Sequence, residues 1–211
     1  MAKKPEYALV PAAEAGGSDI ASRIGAAILG FLGDVPRSRE TRSAAPAESA
    51  RQVAARAAAK AATAAGTLAL PPGPLGWLTI LPEMVAVWRV QATMVADIAT
   101  LYGRQGTLTK EQMLYCLFKH TASQAMRDLV VRAGERWLVK KATLQMLQAI
   151  ARRIGAKVSE RAVTSTASRW LPVVGAIGVA AYAYYDTAQV AKAAIALFER
   201  DIEVIEEEPT P

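Results

Sequence analysis

The chain has 211 residues, 52% hydrophobic and 21% charged, with a formal net charge of +6. That is enough apolar material for one sizeable core, and too much for a chain that stays disordered. One cysteine, Cys116, and one histidine, His120, exclude an internal disulfide and a classical zinc site, and they predict a reducing, cytoplasmic compartment.

The first seventeen residues contain Pro5, Pro11 and Gly16–Gly17 and read as a flexible tail. The opening MAKKPEYALV carries two lysines but no apolar stretch ending in a cleavage site, so export by a signal peptide is not expected. Ser18 suits the N-cap of a short helix that Gly33 would stop. Ile20, Ile24, Ala27, Ile28, Phe31 and Leu32 share one face of it. A polar linker follows, and then an alanine-rich helix over about 46–65 with Gly66 as its stop. Residues 18–66 thus form an amphipathic and alanine-rich N-terminal region ahead of a helical core over 67–200.

Two apolar segments dominate that core. The first is LALPPGPLGWLTILPEMVAVW, residues 68–88, and the second is WLPVVGAIGVAAYAYY, residues 170–185. Glycine and proline interrupt both, so neither is an ordinary spanning helix, which needs ~20 apolar residues. They suit buried core hairpins or segments that dip into a membrane. Their small residues predict that the two pack together as a central apolar pair, with Ile80 and Ile177 on related sides. The Pro71–Pro74 cluster forces a loop. Pro82 predicts either a kink or a helix start, and the helix ends near Tyr102–Gly103. Thr109 and Gln112 form a capping-box pattern. The helix they open reads on to about Ile154, with a break at Gly134, and a short helix covers 156–168. Pro172 fits the first turn of a last helix that reaches Phe198. Residues 201–211 read as an acidic, disordered tail. No period-two alternation is sustained. The predicted fold is all-α: six or seven helices in a compact bundle or orthogonal array.

Charge is uneven. Residues 104–169 hold 13 basic and 4 acidic groups, and residues 170–211 hold 2 and 7. A basic block attracts phosphate, of lipid or of nucleic acid. Aromatic residues do not interleave with it, which disfavours nucleic acid. Arg132, Arg136 and Lys140 are four apart and would share one helical face. With Trp77, Lys141, Arg152 and Arg153 they are the candidates for touching a membrane or a partner. An ordinary solvated helix face is the competing explanation for each of them. The aromatic residues around the two apolar segments suit either core packing or anchoring at a lipid headgroup layer.

Arg89, Thr93 and Asp97, at i, i+4 and i+8, make a polar stripe on an otherwise apolar helix. The stripe either meets water or forms a polar seam. A buried seam needs a partner, and Asp186 is the candidate partner for Arg89. His120, Ser123 and Asp128 do not read as a triad, because no nucleophile elbow accompanies them. Patterns for nucleotide binding are absent from the sequence. Neither catalytic residues nor a metal or cofactor are expected. Cys116, among Leu114, Leu117 and Phe118, reads as a small core hydrophobe.

The runs PPGPLGWLTILPEMVAVWRVQATMVADIATLYG, LTKEQMLYCLFKH and RWLPVVGAIGVAAYAYYDTAQVAKAAIALF resemble the EcsC protein family over about residues 60–199. Its members are mainly bacterial helical proteins, some encoded beside an ABC transporter. The resemblance implies a helical fold and brings no catalytic residues with it. The expected function is a non-enzymatic protein at the cytoplasmic face of a bacterial membrane. It would adsorb through basic residues and apolar segments, the helix at 18–33 among them, in support of a transporter or another envelope process. Its partners would be an anionic membrane surface or a membrane protein. The alternative is a soluble helical module that binds a protein. A third is an enzyme with a polar pocket around Arg89, Asp97 and Asp186.

Overall fold

The computed structural model describes residues 21–30, 35–68, 76–104, 106–126, 130–133, 136–165, 172–199 and 204–205. The predicted tail, the Ser18 cap, the Gly33 stop, the Pro71–Pro74 loop, the Gly134 break and residues 206–211 lie outside them. The architecture is the predicted compact helical one. Helix α1 spans Ala21–Gly30. It is followed by α2 (Pro46–Leu68), α3 (Gly76–Leu101), α4 (Lys110–Phe118), α5 (Ser123–Met126), α6 (Leu144–Ser165) and α7 (Pro172–Glu199).

Several boundaries follow local chemistry. Thr109 caps α4 through its hydroxyl, which accepts from the Gln112 amide, while the Gln112 side chain accepts from the Thr109 amide. This is the reciprocal capping box. At the end of α3, Gly103 takes φ +76°. There Gly103 N–H donates to Thr100 C=O and Arg104 N–H to Ala99 C=O, both at 2.8 Å, which closes the helix as a Schellman motif. Pro82 lies inside α3, so the helix begins upstream of it at Gly76. Pro172 opens α7 as expected.

Two glycines do not stop helices. Helix α2 continues past Gly66 to Leu68. A Cβ on Gly66 would lie 3.3 Å from the Ala180 Cβ, so this glycine lets α2 approach α7. Helix α6 runs through Gly155 as one element, where two were expected. There a Cβ would collide with the Ala21 carbonyl oxygen of α1. Gly25 of α1 faces the Ala151 backbone across the same crossing. Small residues at both sides let the two backbones come together.

The expectation of helix from Thr109 to Ile154 fails after Phe118. Strands β1 (Val130–Ala133) and β2 (Arg136–Lys140) pair antiparallel, with Val130 opposite Val139 and Ala133 opposite Arg136. β-branched and aromatic residues flank the two-residue link Gly134–Glu135, which is hairpin chemistry. Strand β3 (Val204–Ile205) pairs parallel to β2. Those two residues of the predicted disordered tail are therefore ordered into a small sheet.

The two apolar helices α3 and α7 do touch, and α2 packs against both more extensively. The central pair is thus part of a trio. Alanines Ala61, Ala65 and Ala183 meet Val87 there. The larger core holds Ile24 and Ile28 of α1, Met94 and Ile98 of α3, Leu114 and Leu117 of α4, Ile150 and Ile154 of α6, and Leu197 of α7. Every residue of α4 from Glu111 to Phe118 is buried. Trp88 meets Phe118 edge to face at 5.3 Å, a favourable aromatic geometry. Helix α1 places Ile24 and Ile28 of its apolar face in this core.

Candidate functional site

The polar stripe of α3 lines a cleft. Arg89, Thr93 and Asp97 join Arg56 and Lys60 of α2, and Arg39 and Glu40 of the segment before it, around a volume of about 410 Å³. Val53, Ala57, Val90 and Met94 supply apolar lining. Both acids are engaged at the rim. Ser38 Oγ donates to Asp97 Oδ1 at 2.6 Å, and Arg56 Nη2 donates to Glu40 Oε1 at 3.3 Å. Thr93 Oγ1 donates to the Arg89 carbonyl at 2.9 Å, within the helix. Arg39, Lys60 and Arg89 are exposed and have no ion-pair partner among the described residues. The stripe is therefore solvated, and the cleft it lines is net basic, with Arg39, Arg56, Lys60 and Arg89 against Glu40 and Asp97.

Asp186 does not join it. The expected Arg89 partnership is replaced by a knot between α3, the end of α4 and α7. His120 Nε2 lies 2.6 Å from Asp186 Oδ1, and Gln91 Nε2 donates to Asp186 Oδ2 at 2.7 Å. The same Gln91 nitrogen reaches Thr187 Oγ1 at 3.2 Å, and Thr121 Oγ1 sits 3.0 Å from His120 Nε2. The side chains of His120 and Asp186 are 20% and 14% exposed. The pocket uniting Arg89, Asp97 and Asp186 is thus not formed. Helical phase explains the error. Gln91, two residues after Arg89, falls on the opposite, fully buried side of α3. His120 Nδ1 and Gln91 Oε1 are buried without a hydrogen-bond partner among the described residues. Ser123 is exposed on α5, and Asp128 lies outside the described residues.

Helix α7 presents a different surface. Ile177 is 64% exposed, Tyr182 53%, Tyr184 48% and Tyr185 60%. Gly178 and Ala181 are also exposed, whereas Ala176 and Ala183 are buried. Positions 177, 181, 184 and 185 follow one helical face, so α7 carries an outward apolar and aromatic stripe. The side chain of Trp77, in α3, lies outside the described residues.

Lys141, Arg152 and Arg153 are exposed. The shared helical face expected of Arg132, Arg136 and Lys140 does not exist, because Arg132 is on β1 and the other two are on β2. Their side chains lie outside the described residues. Cys116 is fully buried, and its burial pushes the thiol pKa far above its usual range, against the opposing charge of Lys119. It is a core residue, as read from the sequence. Burial also raises the Tyr102 phenol, with help from Glu199 and against Arg51.

A family model described as the EcsC protein family matches residues 34–200. The match begins at residue 34, where the sequence resemblance was placed from about 60. It takes in α2, consistent with the packing of α2 against α3 and α7. No curated protein and no solved structure matches the chain.

Proposed function

The chain belongs to the EcsC protein family, and we propose that it is a non-enzymatic helical protein that adsorbs on an anionic membrane surface, at the cytoplasmic face of a bacterial membrane. The observation that carries the reading is the exposed stripe Ile177, Ala181, Tyr184 and Tyr185 on α7. Tyrosine has an apolar ring and a polar tip, which suits the headgroup layer. The net charge of +6 supplies attraction to anionic lipid, worth ~1 kcal/mol for each lysine or arginine near the surface. One described helical stretch, Met84–Leu101, is long and apolar enough to cross a membrane, and it is 61% buried in the protein. Contact therefore falls to the outer face of α7, by lying on the surface rather than spanning it. A transporter or another membrane protein is the kind of partner that an adsorbed protein would meet.

The test is co-sedimentation with vesicles of neutral lipid and of mixed neutral and anionic lipid. The wild type is expected to bind the anionic vesicles at low salt. Release is expected at ~1 M salt, where charges are screened within ~3 Å. The variant Ile177→Asp with Tyr185→Asp is expected to fold and to lose binding, since exposed substitutions cost little, about 0.5 kcal/mol or less. A wild type that ignores anionic vesicles even at low salt contradicts the proposal. The soluble protein-binding module then takes its place.

A further inference from the structure

We propose that the cleft between α2, α3 and the segment before α2 is a binding site for a phosphorylated polyol. Its volume, about 410 Å³, falls in the ~300–1,000 Å³ range of small-molecule sites. Its lining is dipolar. Ser43 N–H donates to the Leu101 carbonyl at 3.1 Å, so the start of α2 lies beside the end of α3 and the two helices run antiparallel. That arrangement sets Lys60 towards Arg89, and Ser38 and Asp97 towards the other end. Lys60 and Arg89 have no carboxylate partner among the described residues. A phosphate group offers the matching charge and a geometry that the arginine fork reads well.

The opposite end offers acceptors. Asp97 Oδ1 is taken by Ser38, and Asp97 Oδ2 has no hydrogen bond among the described residues. Thr93 spends its proton on the Arg89 carbonyl and keeps lone pairs free. Ligand hydroxyls can donate to both. Val90, Met94, Val53 and Ala57 give a carbon backbone something to lie on. A bare anion uses only the basic end, while Asp97 repels a second one.

The same chemistry is found in a free sugar phosphate and in the headgroup of a phosphoglycerol lipid, and calorimetry separates the two. Titration of the full chain with glycerol 3-phosphate is expected to saturate, about tenfold tighter than inorganic phosphate. The double variant Lys60→Ala with Arg89→Ala should weaken it by at least about tenfold while the melting curve stays unchanged. Asp97→Asn should erase the preference over inorganic phosphate. If the ligand is lipid-borne, the double variant loses binding to phosphatidylglycerol vesicles but keeps it on phosphatidylserine vesicles of equal charge. If neither probe saturates, or if the double variant binds glycerol 3-phosphate and phosphatidylglycerol as the wild type does, the site does not exist. A chain that binds glycerol 3-phosphate yet ignores all vesicles keeps the cleft and overturns only the membrane reading.

Discussion

Asp186 accepts hydrogen bonds from two other parts of the fold at once, Gln91 of α3 and His120 beyond α4. Removing it takes the shortest partner from a buried amide and a part-buried imidazole, leaving each with one longer contact, to Thr187 and Thr121. Asp186→Ala is expected to cost roughly 2–4 kcal/mol, a fall of several degrees in Tm for a chain of this size. Arg89→Ala is expected to leave Tm unchanged, because Arg89 is exposed. Equal losses in the two variants would restore the Arg89 pairing. That Asp186 is partly buried was legible from the apolar run preceding it. Its partner was not, because His120 is 66 residues away in sequence and no local pattern joins them. Cys116 supports a pH prediction. Its thiol pKa is raised in the folded chain, so the unfolded chain loses that proton first. The thiol's contribution to stability is then constant below ~8.5, the unfolded value, and falls as pH rises above it by up to ~1.4 kcal/mol per unit. Urea unfolding between about pH 8 and 10.5 should show a steeper decline for the wild type than for Cys116→Ala. Parallel declines would show that the thiol is not protected.

Helix ends with local chemistry were readable as sequence: the Thr109–Gln112 box, the Gly103 stop and Pro172 at an N-terminus. Gly66 reads as a stop, and the helix reads as broken between Ile154 and Ala156, because a glycine that permits close approach looks the same in one dimension as one that ends a helix. The hairpin was missed for a similar reason. Arg132, Arg136 and Lys140 are spaced like a helical face, and that spacing hid the β-branched flanks around Gly134–Glu135. The crossing of α1 over α6 tests the packing account. Gly155→Val places side-chain atoms where the Ala21 carbonyl sits, and overpacking of this kind costs ~1–3 kcal/mol. Amide exchange in Ala21–Gly30 is expected to accelerate in the variant while exchange in α4 stays slow. Unchanged protection of α1 would mean that the crossing is looser than described.

For the whole molecule, composition predicts one sizeable core and the element patterns predict helices, and the larger core that gathers α1, α3, α6 and α7 around buried α4 is that core. Which apolar face stayed outside was not legible. Both the helix at 18–33 and the segment at 170–185 looked available. The core took the Ile24 and Ile28 face of α1 and left the Ile177 to Tyr185 face of α7 uncovered. Total apolar content cannot decide between two such faces, because the choice depends on which of them meets complementary small residues.

Contact of this α7 face with lipid can be read from an environment-sensitive fluorophore placed on it. Ile177→Cys can be labelled selectively, because Cys116 is fully buried. On anionic vesicles the label at position 177 is expected to shift to the blue and brighten, while the same label at exposed Gln52 of α2 does not change. No shift at 177, or an equal shift at both positions, would contradict adsorption through α7.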